Sequence, residues 1–444
     1  MLTLNNQLRN TMLVAILLPF AASFGRAQTA SPSSVPAPAT PSPRSIEDLN
    51  YLGGDAAMPP FADSLIDVNS GLRRALFSKG MALRVISLSQ FVQNTLAAPV
   101  SADQQAYVGH SPFGDVMVQP ILSADLHQLH LKHAQFYTGS VWNWVSWNPA
   151  GPKAFQLWDL YFYKEFGNDR IEMKAGYTSN GLDFIGLFVG GNTSTGPQGV
   201  YTVLPYEVGM SYFPLTTPGA NIRINGPKFT YFKSGFQRST DPAGGPTEVQ
   251  RNHTGFRPVP HGDKLLVIEE AGFQRPAAAA PMLWFRAGYM HNNTPYLSFA
   301  DGKKEPGNHA VFVLMDYQFR QPSPTQPAHG LYVGGTVIQA SSRFNAYDLY
   351  YEARIYQKAP FRSRPDDMIS VVSTYGGHSR YLTDALVAQG KTVWRNGATL
   401  TGSYSLPVHN GQFATLGLSY IRGQAITPRV GDALTFTATY LLFF

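Results

Sequence analysis

Cysteine does not occur in the 444 residues, which excludes thiol nucleophiles, disulfide staples and thiolate metal ligands. The absence is silent about compartment, since oxidising and reducing spaces both tolerate it. Charge is scarce as well. Asp, Glu, Lys and Arg make up 14% of the chain, and the formal net charge of +6 is spread without a run of Lys or Arg, so no nucleic-acid footprint is present. Beyond residue 27 no apolar run reaches the about 18 residues a helix needs to cross a bilayer. G-x-S-x-G, P-loop and HExxH motifs are missing. His127, His130 and His133 are spaced so that a strand cannot hold them on one face, and no metal, cofactor or catalytic residue is assigned.

Glycine (41), tyrosine (23) and phenylalanine (28) are plentiful, a composition that suits strands and turns better than a helical enzyme. The N-terminus has a basic flank at Arg9, a short apolar core from Met12 to Phe20, and Gly25 and Ala27 at small-residue cleavage positions. Residues 1–27 therefore read as a secretory signal peptide. Residues 28–63 read as a linker and N-terminal segment, rich in Pro, Ser and Ala over 29–44, which cannot bury a core. Residues 64–80 read as a short periplasmic helix, with Leu65, Val68, Leu72, Ala75 and Leu76 at helical spacing and Gly80 as its stop.

From residue 81 to 444 the period changes to two. The end of the chain is the clearest case: Leu434, Phe436, Ala438, Tyr440, Leu442 and Phe444 share one face, and Thr435, Thr437 and Thr439 the other. Such a strand suits a wall between lipid and water. Alternating segments are expected at 81–92, 115–126, 132–144, 154–166, 170–177, 206–214, 220–236, 263–274, 282–291, 309–320, 330–341, 345–356, 367–376, 397–406, 412–423 and 433–444. The fold class is all-β: a transmembrane antiparallel barrel of about sixteen strands, an even number as bacterial single-chain barrels require. Short links (Gly167-Asn168-Asp169, Leu215 to Gly219, His409-Asn410-Gly411) fall on one side, and most long ones (93–114, 178–205, 237–262, 292–308, 377–396) on the other. That is the expected asymmetry of periplasmic turns and external loops. Trp142, Trp144 and Trp147 at one end, with Tyr440 and Phe444 at the other, mark two interfacial girdles. A soluble sandwich would account for the composition but not for these positions.

In such a barrel the face opposite the lipid is wet, and charges gather there. Across the fourth and fifth strands Asp159, Tyr161 and Tyr163 share a face with Glu172, Lys174 and Gly176, while Trp158, Leu160 and Phe162 share the other with Ile171, Met173 and Ala175. The twelfth strand repeats this with Asp348, Tyr350, Glu352, Arg354 and Tyr356, and Arg286 is a third inward candidate. Acids, a lysine and phenols can hydrogen-bond a hydroxyl-rich solute, and rings can stack on sugar faces; the same charges can equally pair across strands and hydrate the lumen. Mixed signs argue for a neutral polar solute. The segment Thr178 to Pro205, which carries Asp183, is long enough either to fold into the mouth as a constriction or to shield the surface.

The stretches GLRRALFSKGMAL, LWDLYFYKEFGNDRIEMKAGYTSNGLDF, YFPLTTPGANIRI and LVIEEAGF resemble the OprB-like carbohydrate-selective porins, with a likeness running from Gly71 to Phe444. The resemblance implies an outer-membrane barrel in a Gram-negative cell that admits mono- and disaccharides by passive diffusion past a charged constriction. It also implies that Asp183 and Phe184 lie in the loop after the fifth strand and that Glu270 faces the lumen. Partners are then small sugars and outer-membrane lipid, with no nucleic acid, and a homotrimer is the common arrangement for such channels. The competing readings are a general or anion-preferring pore, a barrel enzyme acting on lipid or surface polymer, and a plugged structural or adhesive barrel.

Overall fold

The computed structural model describes residues 45–54, 58–67, 71–95, 113–146, 155–167, 170–185, 203–212, 215–260, 262, 264–423, 426–427 and 432–444. The expected signal peptide, the Pro/Ser/Ala tract and Trp147 lie outside them. Where side chains alternate, the backbone is extended. The strands are β1 (Met81–Asn94), β2 (Phe113–Asp125), β3 (Ala134–Val145), β4 (Gln156–Phe166), β5 (Ile171–Thr178), β6 (Thr217–Asn225), β7 (Thr230–Arg238), β8 (Leu265–Arg275) and β9 (Leu283–Asn292). A small hairpin, β10 (Tyr296–Leu297) and β11 (Lys304–Glu305), precedes β12 (Asn308–Arg320), β13 (Gly330–Ala340), β14 (Tyr347–Lys358), β15 (Met368–His378), β16 (Asn396–His409), β17 (Gln412–Arg422) and β18 (Ala433–Phe443). All but the hairpin join into one closed sheet in which chain neighbours pair antiparallel, β9 pairs with β12, and β1 pairs with β18.

The closing seam has the register Ser89↔Tyr440 and Phe91↔Ala438, and across it Gln90 donates to the Thr439 hydroxyl at 3.2 Å. On β18 the period-two expectation is met: Thr435, Thr437 and Thr439 are buried inside, whereas Phe436 is exposed outside. Leu400, Leu416, Leu418, Val313, Val371 and Phe232 extend the exposed apolar exterior around the wall, and Trp142 and Trp144 join it at one end of β3. An apolar surface this continuous is tolerable only against lipid.

Two strand expectations are corrected, and they offset each other in the count. Residues 220–236 are not one strand but the hairpin β6–β7, turned at Gly226 to Phe229 with Lys228 and Phe229 at positive φ. Pro227 sits in that turn, where its missing N–H costs nothing. Residues 206–214 are not a strand. Tyr206, Val208, Met210 and Tyr212 alternate in sequence but are all buried inward, and Gly209 breaks the chain at φ +101°. Of the expected link Leu215 to Gly219, Leu215 and Thr216 consequently belong to the long-loop end, and Thr217 to Gly219 open β6. The N-terminal helix is shorter than the 64–80 expectation: α1 covers Gly71–Phe77, preceded by a 3-10 turn at Phe61–Asp63. This region is fixed beside the C-terminus, where Leu65 donates to the Phe443 carbonyl at 2.8 Å and the Arg84 guanidinium lies 4.2 Å from the Phe61 ring centre.

A charge placed on the exterior tests which face meets lipid. Val313→Arg, near the middle of β12, should destabilise the folded barrel in vesicles by about 2–4 kcal/mol, measured by denaturant titration, with native heat-modifiable mobility retained.

Candidate functional site

The inner face of β4 to β9 carries the charge. Lys174 on β5 donates to both carboxylate oxygens of Asp183 at 3.0 Å. Asp183 is not on the wall. It sits in a buried π-helical turn, Gly181–Ile185, that follows β5 and folds into the lumen. The wall holds that turn by its main chain as well: Lys233 on β7 donates to the Asp183 carbonyl, Arg286 on β9 donates to the Phe184 carbonyl at 2.9 Å, and Asn221 on β6 donates to the Asp183 carboxylate at 2.8 Å. Glu270 on β8 lies 3.6 Å from Lys233 and accepts from the Tyr231 hydroxyl at 2.8 Å. The Arg286 guanidinium also lies over Trp284, 3.9 Å from its ring centre. These cations and acids are almost wholly buried, a situation stable only when each charge is compensated.

Of the residues singled out from sequence, Asp159, Tyr161, Lys174, Asp183, Glu270 and Arg286 thus converge on one side of the lumen. Glu172 lies nearer the β4–β5 turn, where it accepts from Tyr163 at 3.0 Å and from Asn225 at 2.8 Å. Trp158 is a correction. It was expected outward with Leu160 and Phe162, but a register shift at Gly139/Ser140 turns it inward, and a Cβ on Gly139 would lie 2.8 Å from its ring. Glu352 and Arg354 form a second cluster on β14, which β12 and β13 link to β9 in the strand order. Arg354 bridges Glu352 at 2.6 Å and Asp316 of β12 at 2.5 Å, and donates to Thr336 of β13 at 2.8 Å. Asp348 does not join them: it stands at the loop end of β14, four residues before Glu352, beside a bulge between Tyr347 and Leu349.

Sequence reasoning missed Lys233, Asn221, Arg223, Tyr231 and Asp316. The first four were hidden by reading 220–236 as one strand; taking Asn225-Gly226-Pro227 as a turn would have restored the alternation Tyr231, Lys233, Gly235, Gln237. Elsewhere on the wall Arg84 on β1 and Asp115 on β2 are buried. On β15 to β17 hydroxyls pair across strands: Ser370 with Ser403 at 2.6 Å, Thr374 with Thr399 at 2.6 Å, and Thr401 with Ser419 at 2.8 Å. Between the charged wall and the N-terminal segment lies about 410 Å³ of free space, lined by Gly53, Gly54, Tyr163, Lys174, Arg223 and Lys233 among others. His127, His130 and His133 are exposed around the β2–β3 connection, and among the described residues no cluster suited to a metal ion is found.

A closed barrel, apolar outside and charged inside, with a loop turn bound to its inner wall, defines a channel of the outer-membrane type. The comparisons agree. The model of the carbohydrate-selective porin family OprB matches residues 90–439, and the chain belongs to that family. Two solved structures of Pseudomonas putida OprB share the architecture. The high-pH structure aligns with a TM-score of 0.72 at 14% identity, and the low-pH structure with 0.54 at 13%; each covers 86% of this chain and 98% of that one. No curated protein matches the chain. The protein is a sugar-selective porin of the outer membrane.

One titratable group anchors the loop end. Glu207, on the short helix α2 (Val203–Glu207), accepts from the Tyr347 amide at 3.0 Å, and burial pushes its carboxyl up to about 8. An acid raised on folding contributes stability that is fully present below its ordinary value of 4.5 and is lost as pH rises through the folded value. The contact between α2 and β14 should therefore loosen above about pH 8. Hydrogen exchange at the Tyr347 amide, followed from pH 6 to 9, should accelerate relative to Glu207→Gln, which cannot ionise; parallel profiles would refute the assignment.

Proposed function

We propose that the charged wall and the inward turn form the selective constriction, and that it passes neutral mono- and disaccharides by diffusion. The observation carrying this reading is the convergence of Lys174, Lys233 and Arg286, from three different strands, on the carboxylate and two carbonyls of Asp183–Phe184. The turn is tied to the wall by the groups that would otherwise face solvent, so its position fixes the bore. Glu270 and Asp183 offset the cations locally, leaving fixed dipoles that exchange hydrogen bonds with hydroxyls without attracting one ion strongly. Tyr161 and Tyr163 add stacking surface, and Asp159, Glu172, Arg223 and the Glu352–Arg354 pair extend the polar path above and below. Transport without chemistry is the whole of the role, the exterior is lined by lipid, and residues 1–27 are an export signal removed before insertion.

A trimer, common among channels, would bury part of the apolar exterior; cross-linking in native membranes would reveal it as a threefold ladder.

Sugar-induced block of single-channel current tests the constriction. Glucose or maltose should reduce the current of the wild-type protein in a saturable way. Lys233→Ala, which releases the Asp183 carbonyl and removes one partner of Glu270, should weaken that block about tenfold, equivalent to about 1.4 kcal/mol. Reversal potentials should stay close to non-selective. A wild-type current indifferent to every sugar, or strongly anion-selective, would make this a general or anion-preferring pore.

A further inference from the structure

The N-terminal segment does not stay outside the barrel. Residues 45–54 lie against the inner wall, where β2, β3 and β4 hold them by side chains: Ser123 donates to the Leu49 carbonyl at 2.7 Å, Gln135 to the Asn50 carbonyl at 3.2 Å and Tyr161 to the Leu52 carbonyl at 3.0 Å. Gly53, at φ +75°, lets the main chain pass close to Tyr163, whose ring a Cβ would approach to 2.8 Å. Between the Asn50 and Leu52 anchors stands Tyr51. Its ring stacks on Trp158 (6.2 Å between centres, 16°) and meets Tyr137 (5.1 Å, 76°) and Tyr161 (6.1 Å, 89°) edge-on. Its hydroxyl accepts from Lys174 at 2.9 Å and lies 3.5 Å from Asp183.

That environment has the features of a pyranose site. Three rings offer flat apolar surface, and a paired ammonium and carboxylate offer a donor and an acceptor to whatever hydroxyl projects past them. A phenol matches it because a phenol is also a flat ring ending in a hydroxyl. We propose that Tyr51 is a tethered occupant of a sugar-binding cage formed by Tyr137, Trp158, Tyr161, Lys174 and Asp183, so that the N-terminal segment sets the bore from the short-turn end while the Gly181–Ile185 turn sets it from the loop end. Both inward segments meet on Lys174. Tyr51 is thereby a specificity-determining residue: a passing sugar must skirt its ring or displace it. The segment is held by side-chain donors to carbonyls, bonds that a polyhydroxylated solute or water can replace at little cost, which suits an occupant that yields.

The inference rests on the reading that sugars pass the level of Lys174, and the experiment separates the two. Full-length Tyr51→Ala, checked for heat-modifiable mobility and reconstituted in planar bilayers, should raise single-channel salt conductance about twofold or more. It should also gain a tighter glucose block, which Tyr51→Ala/Tyr161→Ala loses again. Because the chain has no cysteine, Tyr51→Cys provides a second route: a sulfonated methanethiosulfonate reagent should react with it and cut its enlarged current back toward the wild-type level. Wild-type conductance in both folded variants, with no effect of the reagent, would overturn the assignment. Failure of both to reach the folded form would make Tyr51 a structural brace and would overturn it equally. If conductance rises but no protein responds to sugar, Tyr51 is an occluder of the pore and the sugar cage is refuted, together with the sugar reading of the constriction.

Discussion

Everything in this molecule follows from the demand that no backbone N–H or C=O face hydrocarbon without a partner. An open sheet would leave two rows of such groups exposed at its edges. The pairing of β1 with β18 removes both edges at once, from Ile86↔Phe443 to Asn94↔Thr435. Once the sheet is closed, the strand period of two sorts side chains between two solvents. Apolar residues such as Phe436 and Leu418 face out, and threonines, amides and ions face in. The low charge content is the same fact seen in composition, since lipid-facing positions and interfacial girdles leave few places for ions.

Those few ions are concentrated where they can act. The cations of β5, β7 and β9 hold an incoming loop turn through its carboxylate and its carbonyls. The adjoining cluster on β12 to β14 is cross-linked through the Arg354 fork, a geometry that fixes direction as well as charge. Beyond β14 runs a stretch of paired hydroxyls on β15 to β17. The lumen is thus asymmetric, with a rigid charged side and a neutral hydroxyl side. In the proposed reading, a rigid eyelet in a stiff barrel selects by fit and hydrogen bonding without needing large motions.

Most of the architecture was legible in the chain because the barrel wall obeys a local rule. Alternation locates a strand without knowledge of its neighbours, and fourteen of the expected segments coincide with strands to within a few residues. The two errors, at 206–214 and 220–236, have a common physical origin. Inside a barrel the lumen can bury a loop, so Tyr206, Val208, Met210 and Tyr212 mimic a strand by packing inward; and Pro227 looked like an interruption when it was a turn. The charged wall was half legible. Lys174, Asp183, Glu270 and Arg286 were found from alternation and resemblance, but their convergence depends on a turn of the loop after β5, and period-two patterning carries no information about where a loop folds. Lys233 was lost with its strand. Tyr51 left no trace, since its segment has no period and sits beside a Pro-rich tract that reads as linker. Trp158 was misplaced by a bulge, one extra residue that reverses a face.

The most direct test of the account is the polarity of the two faces on the closing strand. Single nitroxide labels placed in turn from residue 434 to 442, in protein reconstituted into lipid vesicles, would report accessibility to oxygen, which concentrates in the bilayer. A closed barrel predicts a period of two, with maxima at 434, 436, 438, 440 and 442 and minima at the threonine positions 435, 437 and 439. A flat profile, or maxima at the threonines, would contradict it.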